Sequence, residues 1–151
     1  MQEIERKFLV KNEDYKLEAV RVHHIIQGYL NRDPKRTVRI RIIDGKAFLT
    51  IKGQSNNNGT ARFEWETEIP AEDAQALLQL AEPGIIEKVR YDIPVNDKLF
   101  FEVDEFLGEN EGLTIAEIEL PDEHTSFEKP GWLGEEVTGN PAYYNSQISS
   151  K

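Results

Sequence analysis

Glu3-Ile4-Glu5-Arg6-Lys7, followed by Phe8, reads as an extended segment with Glu3, Glu5 and Lys7 on one face and Ile4 and Phe8 on the other. The same period of two recurs along most of the chain, with turn residues between the runs. Strands are predicted near residues 2–10, 24–31, 36–43, 47–53, 61–69, 86–94, 98–105 and 113–120. Asp44-Gly45 joins the third and fourth as a hairpin. The polar run Gly53-Gln54-Ser55-Asn56-Asn57-Asn58-Gly59 is a loop before the fifth, and Asn58-Gly59-Thr60, which matches a glycosylation sequon, reads as a turn. Three helices are expected. One runs from the cap Asn12 through Glu13 to about Val20. A second follows Pro70, carries the apolar stripe Ala74, Leu77, Leu78 and Ala81, and stops at Pro83-Gly84. A third starts at Asn140-Pro141 and carries Tyr143, Tyr144 and Ile148. Many consecutive strands and few helices predict a mainly β (α+β) fold, an antiparallel sheet or closed barrel over residues 1–151 as one domain.

Composition narrows the function classes. With 18 Lys and Arg against 28 Asp and Glu, the formal charge is -10, which excludes a nucleic-acid binder working through its overall field. A small anionic ligand stays open if the cations are gathered in one place. There is no cysteine, so disulfides and thiolate metal sites are excluded. The start, MQEIERKFLV, has no long apolar run, so neither a signal peptide nor a membrane anchor is expected, and a cytoplasmic location follows.

Alternation assembles the charges. Arg39 and Arg41 face one way against Val38, Ile40 and Ile42. Lys52 lies opposite Ala47, Leu49 and Ile51. Arg62, Glu64 and Glu66 lie opposite Phe63 and Trp65, and Lys88 and Arg90 opposite Val89 and Tyr91. Glu102 and Asp104 lie opposite Phe101 and Val103, and Glu117 and Glu119 opposite Ala116, Ile118 and Leu120. One reading is a sheet with a packed apolar face and a solvated charged face. Against it, the charges come as like-signed pairs two residues apart, which repel and add nothing to a solvated surface. If eight strands close, the charged face turns inward, and a barrel of that size holds one small ligand. Buried like charges then demand a charged guest. A polyphosphate carrying a divalent metal satisfies both signs, because Arg and Lys bond phosphate oxygens and carboxylates hold the hard cation.

These residues resemble the CYTH-domain proteins of the triphosphate tunnel metalloenzyme superfamily. The resemblance rests on Glu3-Ile4-Glu5-Arg6-Lys7, which matches an E-x-E-x-K hallmark, and continues through Gln27-Gly28-Tyr29-Leu30, Val38-Arg39-Ile40-Arg41 and Thr50-Ile51-Lys52. It runs on through Arg62-Phe63-Glu64-Trp65-Glu66, Glu87-Lys88-Val89-Arg90-Tyr91 and Phe101-Glu102-Val103-Asp104. It closes with Ala116-Glu117-Ile118-Glu119 and Trp132-Leu133-Gly134-Glu135-Glu136-Val137-Thr138. It implies an eight-stranded antiparallel barrel forming a tunnel, acting on a triphosphate with Mg²⁺ or Mn²⁺. By resemblance, Glu5, Glu117 and Glu119 hold the metal, while Glu3, Glu64, Glu66 and Asp104 serve a second metal or orient the attacking water. Lys7, Arg39, Arg41, Lys52, Lys88 and Arg90 grip phosphate oxygens, and Tyr29 and Lys52 meet near the reacting phosphate. The C-terminal helix helps close one end, and a homodimer is implied by resemblance only.

Other conspicuous residues carry plainer expectations. His23 and His24 face opposite ways on a strand and have structural or surface roles, as does His124. Trp65, Trp132 and the phenylalanines belong to the core. Arg6 is a snorkelling surface residue. Arg62 faces the charged side or the rim, Glu102 shares a face with Asp104, and Glu135 and Glu136 fit a helix or turn as well as a catalytic role. The compact chain and the absence of an added purine-binding segment favour hydrolysis of inorganic triphosphate. A class IV-type adenylate cyclase, a thiamine triphosphatase and a non-enzymatic polyphosphate-binding module are the alternatives.

Overall fold

Each strand has one face that must leave water and another too charged to pack against oil, and closing the sheet separates the two. The computed structural model describes residues 2–148. Its strands are β1 (Gln2–Val10), β2 (Arg21–Asn31), β3 (Arg36–Ile43), β4 (Lys46–Gly53), β5 (Ala61–Ile69), β6 (Ile86–Pro94), β7 (Phe100–Phe106), β8 (Thr114–Glu119) and β9 (Leu133–Glu136). The meander β2–β3–β4–β5 and the meander β6–β7–β8 are joined where β2 pairs with β6, and every pairing is antiparallel. β1 closes the barrel. One edge pairs with β8 from Glu5–Glu119 to Leu9–Ile115, and the other pairs with β5 through Gln2–Phe63, Glu3–Arg62 and Ile4–Ala61. The β3–β4 hairpin turns on Asp44 and Gly45, both at positive φ (50° and 85°), the geometry that matches strand twist.

The apolar side chains lie mostly outside the barrel wall. Phe8, Phe101, Val103, Ala116 and Ile118 are covered by Tyr15 of the short helix α1 (Tyr15–Glu18) and by Trp132. On another flank Ile40 and Ala47 pack under Ala74, Leu77 and Leu78 of α2 (Ala71–Leu78). Inside, only one end is apolar. Ile86, Phe106 and Ile115 meet Ile148 of α3 (Asn145–Ile148) there.

Several boundaries differ from expectation, each for a local reason. α1 is one turn only: Asn12 Oδ1 accepts from the Asp14 amide at 2.9 Å, forming a turn rather than a cap, and Ala19 is already extended. β2 starts at Arg21 because its ladder with β6 runs on to Asp92. α2 ends at Leu78, and the chain winds on in turns until the Glu82 amide docks on the Tyr29 carbonyl at 2.8 Å. The third helix is broken. Asn140 caps a 3-10 turn (Pro141–Tyr143) by accepting from the Ala142 amide, and Tyr144 is extended before α3 begins.

β9 was not anticipated as a strand, since Leu133-Gly134-Glu135-Glu136 has no alternation. It lies on the edge of β1 that β5 vacates, pairing Glu136 with Phe8 and Leu133 with Val10. A Cβ at Gly134 would come within 2.9 Å of the Leu9 carbonyl oxygen, so the close approach needs glycine. Glu136 is bound by both ends of the Arg6 guanidinium, at 2.7 and 2.8 Å, so Arg6 is a paired residue rather than a snorkelling one. Trp132 is buried as expected, whereas Phe63 and Trp65 stand half-exposed on the outer wall of β5.

Candidate active site

Closure turns the alternating charges inward. β1 contributes Glu3, Glu5 and Lys7; β3 contributes Thr37, Arg39 and Arg41; β4 contributes Lys52, and β5 Arg62, Glu64 and Glu66. Tyr29, Arg90, Glu102, Glu117 and Glu119 complete the wall, with Asn145 and Ser146 of α3. The cavity measures about 160 Å³. That is below the ~300–1,000 Å³ of pockets for drug-sized organic molecules and suits a compact ion.

The two signs are not evenly matched around the lumen. Lys52 Nζ donates to both carboxylate oxygens of Glu3, at 2.9 and 3.2 Å, and lies 3.4 Å from Glu64. Burial alone would raise the Glu3 carboxyl, but Lys52 overrides it and holds the carboxyl below its ordinary range. Arg90 binds Asp104 through two hydrogen bonds and Glu102 through a third. Lys7 donates to the Tyr143 carbonyl at 3.2 Å, and Glu117 and Glu5 raise its ammonium pKa in spite of burial.

Arg39 and Arg41 are less compensated. Arg39 reaches the Thr50 hydroxyl at 3.1 Å and Glu66 at 3.6 Å, and its Nε is buried without a hydrogen-bond partner among the described residues. Arg41 donates from Nε to the Gln27 side-chain oxygen at 3.2 Å and has no ion-pair partner among the described residues. Burial, then Arg39 and Arg90, pull its guanidinium down to about 9. A buried donor with no acceptor and a guanidinium with no carboxylate in direct contact both favour an anion.

The carboxylates crowd in the opposite sense. Burial, with Glu117 and Glu3 nearby, raises the Glu5 carboxyl well above the usual range. Burial opposes ionisation of Glu117 too, but Lys7, a hydrogen bond from Glu5 and Arg90 outweigh it and keep that carboxyl well below. The two neighbouring carboxyls are thus pushed in opposite directions. Glu64 and Glu119 are raised by burial and by neighbouring carboxylates, Glu3 first in both cases.

Lys88 and Asp104, two of the residues predicted for the site, do not line the cavity. They lie behind Arg90: Lys88 is completely buried, bonded to Asp104 at 2.7 Å and to Asn145 Oδ1 at 3.1 Å. The other predicted residues, Glu3, Glu5, Lys7, Tyr29, Arg39, Arg41, Lys52, Glu64, Glu66, Arg90, Glu117 and Glu119, all face the cavity. Arg62 and Glu102 join them. Sequence reasoning missed Thr37, Asn145 and Ser146 in the wall, and Gln27 and Thr50 behind it. Gln27, Thr37 and Thr50 share the parity of the charged residues on their strands, which was the available signal. Asn145 and Ser146 come from a break in a helix and left none.

Whether the carboxylates fit a metal can be judged from their chemistry. Every candidate donor is a carboxylate oxygen, the set preferred by a hard divalent ion such as Mg²⁺ or Mn²⁺. Among the described residues no three of them converge as a ready cage. Mg²⁺ is commonly held by one or two carboxylates with substrate phosphates supplying the rest. The neighbouring Glu5 and Glu117 carboxyls fit that mode.

Comparison with known proteins agrees with this geometry. Residues 1–149 match the CYTH domain family. The chain is 50% identical over 147 residues to an inorganic triphosphatase of Acetivibrio thermocellus, covering 97% of this chain and 92% of that protein. It is 34% identical over 154 residues to an inorganic triphosphatase of Nitrosomonas europaea, covering 99% and 97% respectively. A crystal structure of an inorganic triphosphatase superposes with a TM-score of 0.66 at 31% identity, over 98% of this chain and 97% of that one.

Proposed function

This chain belongs to the CYTH-domain family, and from that premise we propose that it hydrolyses inorganic triphosphate to pyrophosphate and phosphate inside the barrel, with Mg²⁺ or Mn²⁺. The observation that carries this reading is the juxtaposition, in one small cavity, of under-compensated Arg39 and Arg41 with the crowded carboxylates of Glu5, Glu117 and Glu119. Simple anion binding would need the cations alone. The relatives named inorganic triphosphatase support the same substrate.

Arg39, Arg41, Lys52, Lys7 and Arg90 bind the phosphate oxygens and hold the chain in line for attack. Glu5, Glu117 and Glu119 would hold the metal, which when bound neutralises developing phosphate charge and lowers the pKa of a coordinated water. The water oxygen forms a bond to the terminal phosphorus as the bond from phosphorus to the bridging oxygen breaks. That oxygen keeps the electron pair as pyrophosphate leaves, and a lumen carboxylate accepts the water's proton. Glu3 and Glu64, both near Lys52, and Glu66 on the same wall would orient the water or hold a second metal. Tyr29 is the cross-strand partner of Arg39 and lines the same cavity. Asp104 and Lys88 act through Arg90 rather than on the substrate. Tyr29 lines the cavity, and Tyr144 lines the adjoining space beside Lys7 and Arg62. The absence of cysteine and the acidic composition fit a cytoplasmic enzyme, and among the described residues no helix is long and apolar enough to cross a membrane.

The test is purified protein with Mg²⁺ or Mn²⁺, offered inorganic triphosphate, ATP and thiamine triphosphate in parallel. Phosphate release from triphosphate far above that from ATP supports the reading. Cyclic AMP with pyrophosphate from ATP, or triphosphate binding without turnover, overturns it.

A further inference from the structure

The lumen cations are held by two chemically different kinds of partner. Lys52 and Arg90 are tied to carboxylates. Arg39 and Arg41, same-face neighbours on β3, are each hydrogen-bonded to a neutral oxygen from an adjacent strand, with Glu66 standing further off at 3.6 Å from Arg39. Gln27 is the cross-strand partner of Arg41 on β2, and Thr50 is the cross-strand partner of Arg39 on β4. Both Gln27 and Thr50 are completely buried, and neither lines the cavity.

Their own bonding fixes them. The Gln27 amide nitrogen lies 3.4 Å from the Tyr29 hydroxyl, so its oxygen turns to Arg41 Nε. The Thr50 hydroxyl donates to Glu66 at 2.6 Å, which leaves a lone pair to accept from Arg39. A carboxylate at either position would orient the guanidinium equally well but would cancel its charge. A neutral acceptor orients without cancelling, and leaves the other guanidinium N–H groups for a ligand.

Resting on the triphosphatase reading, we propose that Gln27 and Thr50 are positioning residues that aim Arg41 and Arg39 at the substrate without adding a counter-charge of their own. β3 is thereby the most positive strip of the wall, and the terminal phosphoryl, which carries the most negative charge, lies against it.

The experiment compares wild type with Gln27→Glu, Gln27→Met and Thr50→Val. It measures kcat and KM for triphosphate with Mg²⁺, the melting temperature, and calorimetric binding of inorganic triphosphate. Gln27→Glu should melt at or above the wild-type temperature, because it gains an ion pair with Arg41. Its KM for triphosphate should nevertheless rise about tenfold, roughly the worth of one charge-assisted contact, with a smaller fall in kcat. Gln27→Met, which removes the acceptor without adding a charge, separates loss of aiming from simple repulsion of the substrate. Gln27→Met and Thr50→Val, near-isosteric and lacking the acceptor, should raise KM about threefold or more by loosening one arginine each. A wild-type KM in Gln27→Glu overturns the proposal, and so does a melting temperature that falls in step with lost binding. Failure of wild type to hydrolyse triphosphate would sink the functional reading instead, and the calorimetric arm would still test Gln27 and Thr50.

Discussion

Arg90 donates from Nε and from a terminal nitrogen to the two carboxylate oxygens of Asp104, at 2.8 and 2.9 Å, and Lys88 completes that carboxylate from the other side at 2.7 Å. Asp104 thus anchors two cations and does not itself line the cavity. Burial favours its neutral form, but Arg90 and Lys88 hold it below the ordinary aspartate range.

Asp104→Ala should therefore act first on the fold. It leaves Lys88 and Arg90 buried without their counter-charge, a change that costs about 3–5 kcal/mol when one partner of a buried pair is removed. Urea unfolding should show the loss, and a midpoint equal to wild type would contradict the anchoring role.

Glu5→Gln separates metal binding from stability. Glutamine keeps the size and shape of the side chain but cannot ionise. Burial, Glu117 and Glu3 raise the Glu5 pKa in the folded protein, so its ionisation opposes folding once the pH passes the unfolded value. Without metal at neutral pH, the variant should melt at or above the wild-type temperature. With Mg²⁺ or Mn²⁺ it should lose turnover and the metal-induced rise in melting temperature. Glu119→Gln should lose turnover likewise. Wild-type activity in either variant would show that the carboxylate wall is not the metal site.

His23 provides a pH signature away from the lumen. Its ring nitrogens bond Asp44 of the β3–β4 turn and Asp92 of β6. Burial lowers its pKa, but the hydrogen bonds to Asp44 and Asp92 outweigh burial and raise it. The stabilisation is fully present below the unfolded histidine value of about 6.5 and is lost as pH rises through the raised folded value. The melting-temperature gap between wild type and His23→Ala should be largest near pH 6 and shrink toward pH 9 (roughly the span over which imidazole titrates). A constant gap would show that the imidazolium pair contributes nothing.

Gly28→Ala tests how tightly the barrel packs against its helix. The added Cβ would lie 2.6 Å from Ile85 Cδ1, 3.0 Å from Leu78 and 3.1 Å from Ala81. Overpacking of this kind costs about 1–3 kcal/mol. The unfolding midpoint should fall, while kcat of the folded enzyme, whose lumen faces the other way, stays near wild type.

The first strand shows how much of this was legible beforehand. Period-two alternation placed Glu3, Glu5 and Lys7 on one face, and the structure turns that face into the lumen. The face a side chain takes is dictated by such local patterns, because it follows from the residue's place in the pleat. β9 and the broken third helix were not legible. β9 exists because β5 leaves an edge of β1 unpaired, and α3 because Ile148 fits the apolar end.

By itself, then, the sequence determined which residues share a face, the number of barrel strands, and the class of ligand that so many inward charges require. Only the tertiary structure decided how those charges are divided. Alternation sees Arg41 and Arg90 as equivalent lumen cations. Their environments differ because Asp104 and Glu102 arrive beside Arg90 from β7, whereas β2 brings Arg41 a neutral glutamine. Compensation depends on which strand lies alongside in the closed barrel, and that is a long-range fact.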